Sequence, residues 1–342
     1  MIDFRYHLVS LISVFLALAV GIVLGAGPLG DNLGTQLAEQ VEQLRGEQEQ
    51  LRTEADELQT RNDQLASYVS ESGPELVADT LPGQSVALLT DGDSTRTATE
   101  QVTSLLEGAG VSAVVEIRLR SDLWDPAQEQ RRAEAADEIR SIAPALLDPE
   151  LEGPAQLAAI VPALLAEDPS GELTQELRTQ VWQVLVDHQL IALTDGTPGV
   201  VEAVVYASAA PETFVLAGEA EDLAAERAQN LLSAQTAVLT SLAATSVPAV
   251  VSAATPANDS STGILRTVRG DAGFDQLSTT DRLQEADGPI LSVLALIEQV
   301  RGGAGAYGTT ADAAERVPPL PAPTAPADSE GEDAAPSDGG EG

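Results

Sequence analysis

The stretch SVALLTDGDSTRTATEQVTSLLEGAGVSAVVEI, residues 85–117, decides the fold of the globular part of this chain. The apolar run at 85–90 has the length and composition of a buried strand, and a second such run follows at 111–117. The segment between them begins with residues that favour a helix N-terminus and ends in Gly-Ala-Gly, which favours a helix C-terminus. The stretch therefore predicts a βαβ unit.

The same alternation continues to about residue 308. Further strands are predicted at 190–194, 202–208, 248–253 and 276–280, and further helices at 126–142, 154–166, 173–186, 220–245 and 289–300. Alternation of this kind predicts an α/β domain, residues 82–308, with a mainly parallel sheet covered by helices on both faces. The echo of ALLTDG (87–92) in IALTDG (191–196) leaves open a duplication of two halves.

An uncharged apolar segment, residues 8–30, precedes this domain. At about 1.5 Å per residue a helix of this length crosses a hydrocarbon core of about 30 Å, so we predict one transmembrane helix. Arg5 precedes the segment and acidic residues follow it, which predicts residues 1–7 in the cytoplasm and the globular domain outside the cytoplasmic membrane. A cleaved signal peptide with a small-residue site at 25–27 is the alternative.

Small side chains recur at every fourth position of this predicted helix. They are Ser13, Ala17, Gly21 and Gly25. Such a face lets two helix backbones approach closely in lipid, and the pattern predicts helix packing there. The alternative is that small residues are simply common in membrane helices.

A leucine at every seventh position predicts a coiled-coil stalk at residues 33–70. The predicted dimer interface consists of Leu37, Leu44, Leu51, Leu58 and Leu65 at heptad position d, with Val41, Gln48, Ala55, Asn62 and Val69 at position a. An asparagine at position a favours a parallel, two-stranded pair, because the two amides bond each other only in that register. Packing within one chain and pairing with a different coil are the alternatives.

The segments on either side of the globular domain differ in composition. Ser72-Gly73-Pro74 predicts the end of the coil. Residues 309–342 are rich in proline, glycine and acid, so we predict a disordered acidic tail.

Composition excludes several classes of function. The formal net charge of -37 opposes binding to nucleic acid and to anionic lipid headgroups. All 17 basic residues are arginine, which excludes lysine-dependent chemistry, and the chain has no cysteine. We therefore predict neither thiolate metal sites nor a cofactor.

Asp91 and Asp93 follow the first strand, at the edge where α/β sheets usually bind ligands. A carboxylate pair there is a candidate site for a cation or for phosphohydrolase-like chemistry. The competing interpretation is a turn at Asp91-Gly92 with Asp93 or Ser94 capping the next helix. That interpretation is favoured, and we predict no enzymatic activity.

Three other features point to no site. GAGAYG (303–308) has dinucleotide-loop spacing but closes a helix instead of opening one, which predicts a helix C-cap and linker. His188 is a lone histidine between a predicted helix and a predicted strand, with no partnered acid, and His7 borders the membrane segment.

The opening MIDFRYHLVSLISVFLALAVGIVLG, followed by the leucine heptads, resembles the actinobacterial MctB family, as does the closing ALIEQVRGGAGAYG with its proline-rich tail. The resemblance implies a cell-envelope protein of a family described as copper transporters, some of whose relatives are linked to cell separation and control of wall hydrolases.

The residues themselves fit copper chemistry poorly. Copper prefers thiolate, thioether or imidazole ligands, whereas this chain has no cysteine, one methionine at its start and two histidines. We therefore expect a dimeric scaffold or regulator of an unidentified envelope protein, with copper efflux or homeostasis as the alternative. A cation-binding or phosphohydrolase-like head using Asp91 and Asp93 is the weaker alternative.

Overall fold

The structure is a computed structural model that describes residues 4–25, 28–194, 196–209, 216, 218–255 and 263–321. The chain divides into two compact units, Met1–Ser67 and Tyr68–Gly342. The second unit, here called the head, contains the sheet. The predicted tail beyond residue 321 and Asp195 of the IALTDG echo lie outside the described residues.

The first unit contains helix α1 and most of helix α2. Helix α1 (Phe4–Gly25) consists almost wholly of apolar residues, and its stretch Phe4–Val23 is long and apolar enough to cross a membrane, with a mean hydropathy of 2.3. The predicted N-terminal apolar helix is confirmed. Helix α2 (Pro28–Val77) is 50 residues long and includes all the predicted heptads.

The predicted helix break at 72–74 is wrong, because α2 continues through Pro74 to Val77. Proline removes one helical hydrogen bond, but packing compensates at this end of the helix. Val77 is fully buried in the head, and the absence of a side chain at Gly73 lets Ile290 pack close to the helix backbone. A side-chain carbon at position 73 would lie 3.1 Å from the Cδ1 atom of Ile290.

A seven-stranded sheet forms the centre of the head, in the order β3-β2-β1-β4-β5-β6-β7. The strands are β1 (Ser85–Thr90), β2 (Ala113–Leu119), β3 (Ile191–Leu193), β4 (Ala203–Ser208), β5 (Ala249–Ala253), β6 (Ser278–Thr280) and β7 (Ala306–Tyr307). All neighbouring pairs are parallel except β2 and β3. The predicted mainly parallel sheet is confirmed, with one antiparallel edge strand.

Helices cover both faces of this sheet. They are α3 (Arg96–Gly108), α4 (Glu129–Ile142), α5 (Gly153–Ala158), α6 (Ile160–Leu165), α7 (Gln175–Asp187), α8 (Glu221–Ala244), α9 (Ile264–Gly270) and α10 (Gly288–Val300). The end of α2 packs with α3 and α10 on one face, and α4 to α9 pack on the other. Strand β1 shows the alternation, because Ala87 and Leu89 contact the second group whereas Val86 and Leu88 contact the first.

The head extends beyond the predicted boundary at residue 308. The predicted linker GAGAYG contains β7, which pairs with β6, and Gly302, at a φ of 86°, lies just past the end of α10. Tyr307 also forms a bridge with Glu315. Residues 309–315, predicted as part of the disordered tail, are therefore attached to the sheet edge.

The strand order places the topological switch point between β1 and β4. Chain connections run outward in opposite directions from these two central strands. In open α/β sheets, the crevice outside the carboxyl ends of the strands at such a point is the usual ligand-binding position. Asp91 directly follows β1 and so lies at this edge.

Candidate functional site

The carboxyl group of Asp91 is the centre of a buried hydrogen-bond network at the switch point. Its Oδ2 atom accepts hydrogen bonds from the hydroxyls of Tyr206 at 2.8 Å and Ser208 at 2.7 Å, and from Nε2 of Gln235 at 2.8 Å. Its Oδ1 atom accepts from the backbone N–H of Ala209 at 2.6 Å. One side chain thus links the end of β1 to the end of β4 and to α8.

Burial determines the protonation behaviour of this network. Asp91 is only 1% exposed, and burial raises its pKa, although the four donors partly oppose that shift. Burial and the neighbouring carboxyl raise the pKa of Tyr206 well above its ordinary value, so its phenol stays protonated and donates. Both carboxyl oxygens are already occupied by protein donors, which suits a structural clamp.

Asp93 does not join Asp91 in a paired site. Its side chain is 80% exposed and lies 3.2 Å from the guanidinium of Arg96 and 3.9 Å from that of Arg118. The predicted side-chain cap is also absent from the described start of α3, where Thr95 donates its hydroxyl to the carbonyl of Gly92. Asp93 is therefore a surface ion-pair residue.

A second buried carboxyl network, which the sequence interpretation missed, follows β6. Asp281 is fully buried and accepts hydrogen bonds from the backbone N–H groups of Thr309 at 2.9 Å and Thr310 at 2.9 Å. The guanidinium of Arg269 lies 3.2 Å from Asp281 and 3.1 Å from Asp312. The sequence signal was TD after a strand, which recurs in LLTDG and in STTDR.

This network attaches residues 307–312 to the head. Arg269 also donates to the carbonyl of Tyr307 at 2.8 Å and to the hydroxyl of Thr279 at 2.8 Å. Burial raises the pKa of Asp281, but the hydrogen bonds from Thr310 and its neighbours outweigh that effect, so the net pKa is lowered. A side chain at Gly308 would lie 1.9 Å from Oδ1 of Asp281, so only glycine fits.

The predicted heptad leucines share one property in the single chain: they are exposed. The leucine stripe consists of Leu37 (60% exposed), Leu44 (63%), Leu51 (65%), Leu58 (63%) and Leu65 (65%). At the a positions, Val41 is 43% exposed, Gln48, Ala55 and Asn62 are also exposed, and only Val69 is partly buried, against the core of the head. An apolar stripe of this kind is typical of an interaction surface.

The predicted small-residue face lies on α1. The hydroxyl of Ser13 donates to the carbonyl of Val9 at 2.8 Å, so this polar group is satisfied within its own helix. Apart from the backbone of its own helix, no atom of the described residues lies within 4 Å of the position that a side chain at Gly21 would occupy. Ala17 and Gly25 are part of the same helix.

The histidine that lacked a partner in the sequence has one in the fold. The Nε2 atom of His188, just past α7, lies 3.1 Å from a carboxylate oxygen of Glu138 on α4. Among the described residues, no group of three or more His, Cys, Asp or Glu side chains is arranged to hold a metal ion. The contact fits a link between two helices.

Comparison with known proteins identifies relatives of this chain. A family model described as the copper transport outer membrane protein MctB matches residues 1–318. Proteins called copper transporter MctB from Mycobacterium bovis and Mycobacterium tuberculosis are each 27% identical to it over 142 residues, 42% of this chain. The aligned part spans 43% of the length of those relatives. Because the family model includes both the apolar helix and the head, the chain belongs to the MctB family.

Proposed function

We propose that this protein is a single-pass, membrane-anchored scaffold that pairs with a second copy of itself and whose head recruits or regulates another protein of the cell envelope. The observation that carries the proposal is the leucine stripe, five leucines at seven-residue spacing that are each at least 60% exposed. Covering these side chains with the same stripe of a second copy removes apolar surface from water in a geometry that the heptad spacing matches.

Several features favour a parallel pair in register. Asn62 at an a position bonds well only to the Asn62 of a parallel partner. Glu47 at a g position faces Arg52 at the following e position of the partner. The helical segment 28–67 is about 60 Å long at about 1.5 Å per residue, which is enough for a stalk between a bilayer and a head.

We further propose that the N-terminus is cytoplasmic and the head lies outside the cytoplasmic membrane. Arg5 before α1 and the excess of acid after it support this orientation. The small face of Ser13, Gly21 and their neighbours would let the two membrane helices pack closely. Tethering both chains in one bilayer raises their effective concentration and helps a coil that contains Gly46 and Gln48.

A disulfide test addresses this proposal directly, because the natural chain has no cysteine. We expect the Asn62→Cys variant of the full-length protein to form a disulfide-linked dimer when membranes are oxidised. Thr60→Cys, two residues away at an outer heptad position, is the matched control and is expected to remain monomeric. Equal crosslinking at both positions, or at neither, contradicts the parallel coil.

Copper efflux or homeostasis is the second candidate, favoured by the family description and by the names of the relatives. Copper would then be cargo, which this chain would bind through ligands other than thiolates. The candidate predicts copper-sensitive growth after deletion of the gene and copper uptake by the purified protein. Unchanged copper tolerance together with chained or misdividing cells would support the scaffold instead.

We propose no chemistry for the head. The weaker alternative, a cation-binding or phosphohydrolase-like centre, needs Asp91 to be available to a ligand, and all four of its observed partners are protein donors. Phosphoester turnover that disappears in Asp91→Asn but persists in Asp93→Asn, with both variants folded, would overturn this part of the proposal.

A further inference from the structure

The buried networks described above leave unexplained a cleft at the amino edge of the sheet, opposite the edge that contains Asp91. Its volume is about 720 Å³, and it lies between the end of α4, the loop from α6 to α7, and the segments that enter β4 and β5. Volumes of this size are typical of binding pockets. We call it the acid-rimmed cleft, because acidic residues surround its apolar wall.

The wall of this cleft is apolar and only partly covered. Its members include Ile142, Leu146, Leu173, Leu177 and Val247, all of which are half-buried. Val200, on the same wall, is 41% exposed. Water therefore reaches a concave apolar surface, and an apolar occupant would displace that water favourably.

The rim of the cleft is uniformly acidic. Glu167, Asp168, Glu172 and Glu202 line it, and the described lining residues include no basic side chain. The guanidinium of Arg178 is buried and donates to the carbonyls of Leu164 and Ala166, and Ala166 lines the cleft. Four carboxylates against one buried cation leave a negative field at the mouth of the cleft.

Two of these carboxylates are held in place by their own hydrogen bonds. Asp168 accepts from the backbone N–H of Leu173 at 2.7 Å, and this bond and those from Ser170 lower its pKa. Glu202 accepts from the backbone N–H of Ser85 at 2.7 Å, and the hydroxyl and N–H of Ser85 lower its pKa. Both groups therefore stay charged at neutral pH without rearrangement.

The cleft continues into a second depression across a narrow ridge. Pro144 and Ala145 line both cavities. The second has a volume of about 910 Å³, and its lining contains Leu147 and Leu151 together with charged residues of both signs, Arg132 and Arg140 among them, so the acidic character belongs to the first cavity. Two depressions that share a ridge form an elongated surface. An extended chain segment fits such a surface better than a compact small molecule does.

We propose that the acid-rimmed cleft binds a short segment of a partner protein that presents apolar side chains together with arginine or lysine. The apolar wall takes the apolar side chains, and the basic side chains reach the carboxylates at the rim. This inference rests on the proposed function in one respect, namely that the head recruits another protein, and it adds the surface and the chemistry of the recruited segment.

Selection from a displayed library of short random peptides on the full-length protein in nanodiscs tests the proposal. We expect the selected peptides to combine leucine-like and basic residues. A synthetic copy of the best peptide should bind the Glu167→Arg, Glu172→Arg double variant at least about tenfold more weakly than it binds the natural protein. Its binding to the natural protein should weaken progressively as salt is added. Ala145→Trp, a substitution at the exposed ridge, should reduce binding by blocking the cleft.

The matched control is the Glu100→Arg, Glu107→Arg double variant, which makes the same change in net charge at exposed positions on α3. It should bind the peptide as the natural protein does. Selection of acidic peptides, selection of nothing, or equal weakening in both double variants would overturn the inference. If Asn62→Cys traps a dimer but no peptide binds, the cleft proposal is contradicted and the dimeric scaffold is supported. If peptide binds to a protein that does not form the crosslinked dimer, the cleft proposal is supported and the dimeric scaffold is contradicted.

Discussion

Asp91 and Asp281 occupy equivalent places in the sheet and behave in opposite ways. Each follows a parallel strand whose last residue is a threonine, and each is buried, at 1% and 0% exposure. The pKa of Asp91 is raised by burial, whereas that of Asp281 is lowered by donors that outweigh burial. The two sites share a backbone setting and differ in what surrounds the carboxyl group.

The difference lies in the partners. Asp91 receives hydrogen bonds from two hydroxyls, one amide side chain and one backbone N–H, none of which is charged. Asp281 accepts hydrogen bonds from two backbone N–H groups, from one hydroxyl and from the guanidinium of Arg269. Burial penalises a charge at both sites. At the second site, the hydrogen bonds from Thr310 and Thr309, together with a smaller contribution from Arg269, outweigh that penalty. A position at the carboxyl edge therefore does not by itself make an acidic residue a ligand site.

The largest expected effect comes from removing the counter-charge. Arg269→Met leaves Asp281 buried without its cation, and we expect a loss of about 3–5 kcal/mol in the free energy of unfolding of the head. Denaturant unfolding followed by tryptophan fluorescence measures this, because Trp124 and Trp182 both lie in the core of the head. Arg301→Met, at an exposed position, is the control, and an equal effect there would contradict the buried pair.

A smaller effect is expected at the uncharged network. Asp91→Ala removes the acceptor of the Tyr206 hydroxyl and one of the two acceptors of Gln235, which should cost about 1–3 kcal/mol for each group that stays unsatisfied. Asp91→Asn keeps one acceptor and should cost less. Asp93→Ala, which removes only exposed ion pairs, should change the free energy of unfolding by no more than about 0.5 kcal/mol. A stability loss at position 93 that equals the loss at position 91 would remove the distinction between clamp and surface residue.

The smallest but most specific effect is on pH dependence. A lowered pKa means that Asp281 contributes stability above the ordinary aspartate value of 3.8 and loses that contribution as pH falls through its folded pKa. A raised pKa means that the contribution of Asp91 is complete below 3.8 and is lost as pH rises through its folded pKa.

The two asparagine variants should therefore show opposite trends between about pH 3 and 6. Relative to the natural protein, Asp281→Asn should become less stable as pH rises, and Asp91→Asn should become more stable. Denaturant midpoints across this range provide the measurement. Parallel trends would show that the two carboxyls do not differ in the way described.

Local patterns predicted the elements and failed where distant residues determine the outcome. The βαβ unit at 85–117 was predictable because each strand is apolar and each helix end has its own signal. The helix break at 72–74 was wrong because burial of Val77 outweighs the proline. The GAGAYG linker contains a strand because β6 offers an unpaired edge to residues 306–307.

The sequence by itself determined the apolar N-terminal helix, the heptad spacing and the class of the head, because these follow from periodicity over neighbouring residues. Only the tertiary structure decided that Asp91 is a clamp, that Arg269 and Asp281 fasten residues 307–312, and that an acidic rim surrounds an apolar cleft. Each of these sites joins side chains that are tens of residues or more apart along the chain. Burial and hydrogen bonding depend on the distances between residues in the folded chain, and no local pattern of residues encodes those distances.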